Sequence, residues 1–146
     1  MFKRRSFYVR IPLPDGADRK FFRVKVSVFD DILALNGHIK SKGLWPDDRF
    51  VLAFNVGYPA GDRRKEAWSH IMLANGCADA GTIAHEGEHA VFFMMREVLG
   101  INKLDIRTRI RFGKRSAPAT EEFICSSLQN LIMSVYESAE KKGIEL

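Results

Sequence analysis

The chain is expected to be an α+β protein: a small mixed or antiparallel sheet packed against one long internal helix and a C-terminal helix. Three observations predict it. Alternating apolar residues dominate the N-terminal part, an amphipathic helical stripe occupies Thr82 to Leu99, and a second stripe follows Phe123. Strands therefore come first and helices later, an order that sets helices against a sheet rather than between parallel strands. Residues 1–146 read as one domain, with no internal repeat, low-complexity tract or linker.

Phe7 to Ile11 and Phe21 to Val28 alternate, and Pro14-Asp15-Gly16-Ala17-Asp18 separates them, so they form an expected hairpin with a generous turn. Phe22, Val24, Val26 and Val28 would share one face. Asp30 or Asp31 can cap a short helix through Leu35 that ends around Asn36-Gly37, with Lys40 to Asp48 as loop. Phe50 to Val56 is nearly continuously apolar at strand length, which predicts a central strand. Tyr58 to Asp62 reads as a turn, and Trp68 to Ala74 as a short strand.

The helix over Thr82 to Leu99 takes Thr82 as its N-cap and Gly100 as its stop. It carries the sequence His85-Glu86-Gly87-Glu88-His89. Two histidines one turn apart project toward one point, and neutral imidazoles are good ligands for Zn²⁺. They face away from the stripe of Ile83, Gly87, Ala90, Val91, Met94 and Val98 that would pack against the rest of the protein. Gly87 lies in the middle of that stripe, where its missing side chain would let another element approach closely. Glu86 lies a quarter turn from the histidines, where a carboxylate can take a proton from water at the metal without occupying a coordination position. The chemistry these residues suit is hydrolysis.

A catalytic zinc needs a third protein ligand and an open position for water. Glu121 and Glu122, opening the last helix, are the best candidates on the residues alone. Periodicity favours Glu121, which lies nearer the apolar stripe of Phe123, Ile124, Leu128, Leu131, Ile132 and Val135.

With these residues the chain resembles the zincin superfamily of zinc metallopeptidases, in particular the gluzincins, in which a glutamate on a second helix completes an H-E-x-x-H site. The resemblance covers roughly residues 68 to 136 in element order and implies a zincin-like fold. It also implies a choice of ligand. In those families a small residue commonly follows the glutamate three positions later, which Glu122 with Cys125 satisfies and Glu121 with Ile124 does not. The expected metal set is therefore His85, His89 and Glu122, with Glu121 as the alternative, and Glu86 as the catalytic base. In zincins a strand before the motif helix lines the cleft and pairs with extended peptide, and Trp68 to Ala74 stands where that strand should be. His70 on it could steady the oxyanion of a tetrahedral intermediate, although a structural hydrogen-bonding role is commoner.

Composition narrows the setting. No apolar run is long enough to span a bilayer and charges interrupt the N-terminal segment, so cytoplasm is the expected compartment and a membrane partner is not expected. Two cysteines, Cys77 and Cys125, make no disulfide framework. The formal net charge is +5, with basic clusters at Lys3-Arg4-Arg5 and in Ile106 to Phe112. There, a strand would put Arg107, Arg109 and Arg111 on one face, able to meet phosphates, but without interleaved aromatics a solvated face is the favoured reading.

The leading expectation is thus a zinc-dependent hydrolase that cleaves peptide bonds in a peptide or protein substrate. A non-catalytic, zinc-stabilised interaction module is the first rival. The second is a DNA-associated protease that resembles the SprT-like zinc proteases in its basic segment; those generally use a third histidine, and none follows His89 here.

Overall fold

The computed structural model describes residues 4–44, 50–61, 65–100, 109–112 and 115–146, and over 109–122 it describes the backbone alone. Four strands form one mixed sheet: β1 (Arg4–Pro12), β2 (Phe21–Phe29), β3 (Ala53–Tyr58) and β4 (Trp68–Ala74), in the order β1-β2-β4-β3. β1 and β2 are the expected antiparallel hairpin, in register Tyr8 with Lys25 and Arg10 with Arg23. β2 runs parallel to β4, and β3 returns antiparallel along the outside of β4.

Helix α2 (Ala80–Glu97) and helix α3 (Thr120–Lys141) cover one face of the sheet. That face is built by alternation: Phe7, Val9 and Ile11 from β1, Phe22, Val24 and Val26 from β2, and Ile71 and Leu73 from β4 are all buried against the two helices. Helix α1 (Ile32–Ser41) covers one end of the opposite face, over Phe29, Met72 and Ala74. A hairpin of β5 (Arg109–Phe112) and β6 (Arg115–Ala119) precedes α3, and its pairing register shifts between Arg109 and Arg111.

Four expectations change. The apolar run starting at Phe50 gives β3, which is an edge strand and not a central one. Its apolar content comes from having neighbours on both faces, α2 on one and α1 on the other, which is a separate matter from having strands on both sides. Trp68 to Ala74, expected at the cleft edge, is instead internal, with β2 and β3 as its neighbours. α1 does not stop at Asn36-Gly37. The Asn36 amide is occupied in bonding the main chain of Val51, giving to Val51 O at 2.9 Å and accepting from Val51 N at 2.9 Å, so it does not end the helix. α2 begins at Ala80, two residues before Thr82, because the Asp79 carboxylate caps it by accepting from Thr82 N at 2.7 Å.

Close approach at Gly87 is met. A Cβ there would lie 2.9 Å from Leu131 Cδ2 and 3.0 Å from Leu128 Cδ1, so α3 beds directly against the α2 backbone. Among the described residues, no helix is long and apolar enough to cross a membrane.

Candidate active site

The site is built between α2 and the sheet edge. The buried stripe of α2 (Ile83, Gly87, Ala90, Val91, Met94) fixes the helix rotation, which leaves His85 and His89 exposed on the flank toward β3. Their ring centroids are 4.9 Å apart and the rings are nearly perpendicular, at 84°. Two imidazoles each bound through nitrogen at 2.0–2.1 Å to one tetrahedral ion would have centroids about 5 Å apart. The pair therefore fits a shared divalent ion.

Glu86 is the unusual member. Its side chain is only 7% exposed, and no hydrogen bond to it is found among the described residues. Burial pushes its carboxyl above the ordinary carboxylate range, an effect that His85 and His89 partly oppose. Its oxygens are not among the buried side-chain atoms that lack a partner, which fits a carboxylate that lines an open groove.

Two cavities meet here. One, of about 670 Å³, is bounded by Asn55, Gly57, His89, Phe93 and Arg96; the other, of about 510 Å³, is bounded by Leu52, Asp79, Gly81 and Thr82. Both share Val51, Ala53, His85 and Glu86, so they form one groove along β3 with Glu86 near its middle. Gly57 allows the groove's far end to close, since a Cβ there would fall within the ring of Phe93 from α2. Arg96, two turns beyond the histidines, lines the same groove, with its guanidinium 5.7 Å from the Phe93 ring and its Nε 3.2 Å from Glu97 Oε1.

Asn55 was not anticipated. It stands on the groove face of β3, where its Oδ1 accepts from the fully buried Ser69 Oγ at 2.7 Å. That bond fixes the amide orientation, and no acceptor for either Nδ2 hydrogen is found among the described residues. The signal in the sequence was an asparagine interrupting the apolar Ala53-Phe54-Asn55-Val56, a residue type that strands disfavour.

His70 is not at this site. Strand alternation puts it on the opposite face of the sheet from α2, where its Nε2 lies 2.8 Å from Ser27 Oγ, itself 2.7 Å from Ser6 Oγ. Burial, then the nearby charges of Lys25 and Arg4, push the imidazole down to about 4. An oxyanion role in the groove does not suit that position, whereas a structural hydrogen-bonding role does. Glu121 and Glu122 lie in the first turn of α3, and their side chains are outside the described residues. Arg107 is also outside them, while Arg109 and Arg111 belong to β5. Among the described residues, no group of three or more His, Cys, Asp or Glu side chains could hold a metal ion; His85 and His89 stand side by side, and Glu86 lines the same groove. Cys77 is half-buried, Cys125 is exposed, and both are free thiols. A scan of protein-family models, a search of the curated proteins and a search of the solved structures each gave no match.

Proposed function

We propose that this chain is a zinc-dependent hydrolase of the zincin type that cleaves peptide bonds, with His85, His89 and Glu122 as metal ligands and Glu86 as general base. Glu121 is the alternative third ligand. One observation carries the reading: a carboxylate only 7% exposed stands beside two imidazoles at a separation that one ion can bridge, midway along a groove that follows the edge strand β3.

The donor set suits zinc, since two neutral imidazoles and one carboxylate leave a position open. Bound there, zinc would supply Lewis acidity toward a carbonyl and make a water easier to deprotonate. Glu86 takes the proton of the attacking water and returns it to the departing amine nitrogen. As the edge strand of the sheet among the described residues, β3 can add an extended peptide as a further strand and hold its scissile bond over Glu86, with little demand on the peptide's side chains. The Asn55 amide donates to a substrate carbonyl in the groove, its orientation kept by Ser69.

The test combines metal content and proteolysis of an unfolded protein by the purified chain. The parent is expected to hold zinc and to cleave. Glu86→Gln should retain the zinc while losing activity by about 10²- to 10⁴-fold. Glu122→Gln should lose the metal, and Glu121→Gln should keep it. A parent that binds no divalent metal ends the proposal; stoichiometric zinc with no cleavage of any substrate would leave a zinc-stabilised interaction module in its place.

A further inference from the structure

Among the described residues, the face of the sheet turned away from α2 is covered by α1 at one end, over Phe29, Met72 and Ala74. Over the remainder, β1 and β2 present Tyr8 and Arg10, and Phe21, Arg23 and Lys25. Tyr8 is 55% exposed in the middle of the hairpin register, opposite Lys25, and Phe21 is 44% exposed at its end, opposite Pro12. The cations are placed against the rings. Arg23 sits 5.4 Å from the centroid of Tyr8, and Arg10 sits 5.7 Å from that of Phe21. Tyr58 and Trp68, stacked at 4.3 Å, extend the same face across β4 and β3.

Charge on this face is of one sign. None of the four strands contains an Asp or a Glu. Arg10 and Arg23 are direct cross-strand partners, a like-charge juxtaposition that weakens a hairpin, and no carboxylate pairs with either of them among the described residues. Arg5, by contrast, is used by the fold, donating to Gly143 O and Lys142 O at the end of α3. The rings under the two guanidinium groups offset part of that repulsion and leave the positive charge on the face unneutralised.

From this juxtaposition we infer that the open face of the β1-β2 hairpin binds single-stranded nucleic acid, with bases stacking on Tyr8 and Phe21 and phosphates held by Arg10, Arg23 and Lys25. Aromatic rings interleaved with cations on an open sheet are the chemistry that recognises a flexible polyanion with planar groups. Tyr8 and Phe21 are two rows apart on neighbouring strands, about 14 Å by strand geometry, a span of about two nucleotides of extended chain. Stacking on exposed rings needs bases that are unpaired and unstacked, so duplex should bind more weakly. A second protein would be expected to meet a face this basic with carboxylates, and it would gain nothing from cations laid over the rings. The inference concerns a face distant from the groove and does not depend on the hydrolase reading.

Fluorescence anisotropy of the full chain with a labelled oligothymidylate of about 20 nucleotides tests it. The parent and Glu86→Gln should bind alike. Tyr8→Ala and Phe21→Ala should each weaken binding about tenfold, while leaving affinity for inorganic polyphosphate, which has charge but no rings, unchanged. Arg10→Gln with Arg23→Gln should lower the slope of log affinity against log salt by about 1.4. The ring substitutions are at exposed positions, and matching melting curves would exclude misfolding. No binding by the parent, equal oligonucleotide affinity in the ring variants, binding only to phosphatidylserine vesicles, or loss confined to an Arg107→Gln/Arg109→Gln/Arg111→Gln variant would each overturn the inference.

Discussion

Asn55 and Ser69 show how a site acquires orientation at the level of single atoms. An asparagine amide in a groove can rotate, and a fixed donor is worth more to a substrate than a mobile one. Ser69, buried with its hydroxyl on Oδ1, removes that freedom. Asn55→Ala should therefore lower kcat/KM on a peptide substrate by about ten- to a hundredfold with zinc content unchanged. Ser69→Ala should cost less, and the double variant should be no worse than Asn55→Ala alone, because the serine acts only through the amide. Steady-state kinetics on the three variants checks both statements. Of the site, the pair of histidines and Glu86 could be read directly from their helical spacing. Asn55 could not, because nothing in a linear pattern tells which strand will border the helix that carries the two histidines.

Elements were legible where a period was clean. The β1-β2 hairpin and both long helices follow from alternation and from the stripe through Ile83, Ala90 and Met94. The order of strands was hidden, since a run such as Phe50 to Val56 reports how apolar its surroundings are, and a sheet border covered on both faces gives the same pattern as a sheet interior. The length of α1 was hidden by Asn36, whose helix-ending tendency yields to bonds with Val51, a partner that only the fold brings near. Packing between elements turns on two glycines. Gly57→Ala would force the Phe93 ring away from β3, so we expect a lower melting temperature together with a raised KM as the groove widens. Gly87→Val would press on both Leu128 and Leu131 and separate α2 from α3; the expected loss is about 1 to 3 kcal/mol in urea denaturation.

At the scale of the whole molecule, stability should depend on metal and on pH through different parts of the fold. If His85 and His89 bind zinc and the start of α3 supplies a further ligand, the metal ties two helices together, and chelation should lower the melting temperature by about 10 °C relative to protein in a thousandfold excess of zinc over Kd. His70 governs a separate effect. Its folded-state pKa of about 4 lies below the ordinary 6.5, through burial and then Lys25, Arg4 and His38 nearby. Between those values the unfolded chain binds a proton that the folded chain refuses, so stability present above pH 6.5 is lost as pH falls toward 4. The loss should be about 1 to 3 kcal/mol. Denaturation of chelated protein across that range measures it without the metal, and His70→Gln should flatten the slope.

The placement of β3 at the border of the sheet has one more consequence. A border strand able to add a substrate strand is equally able to add the same strand from another molecule, and two copies joined border to border would each stopper the other's groove. Specific activity should then decline as protein concentration rises while sedimentation reports pairing, a self-restraint that dilution reverses.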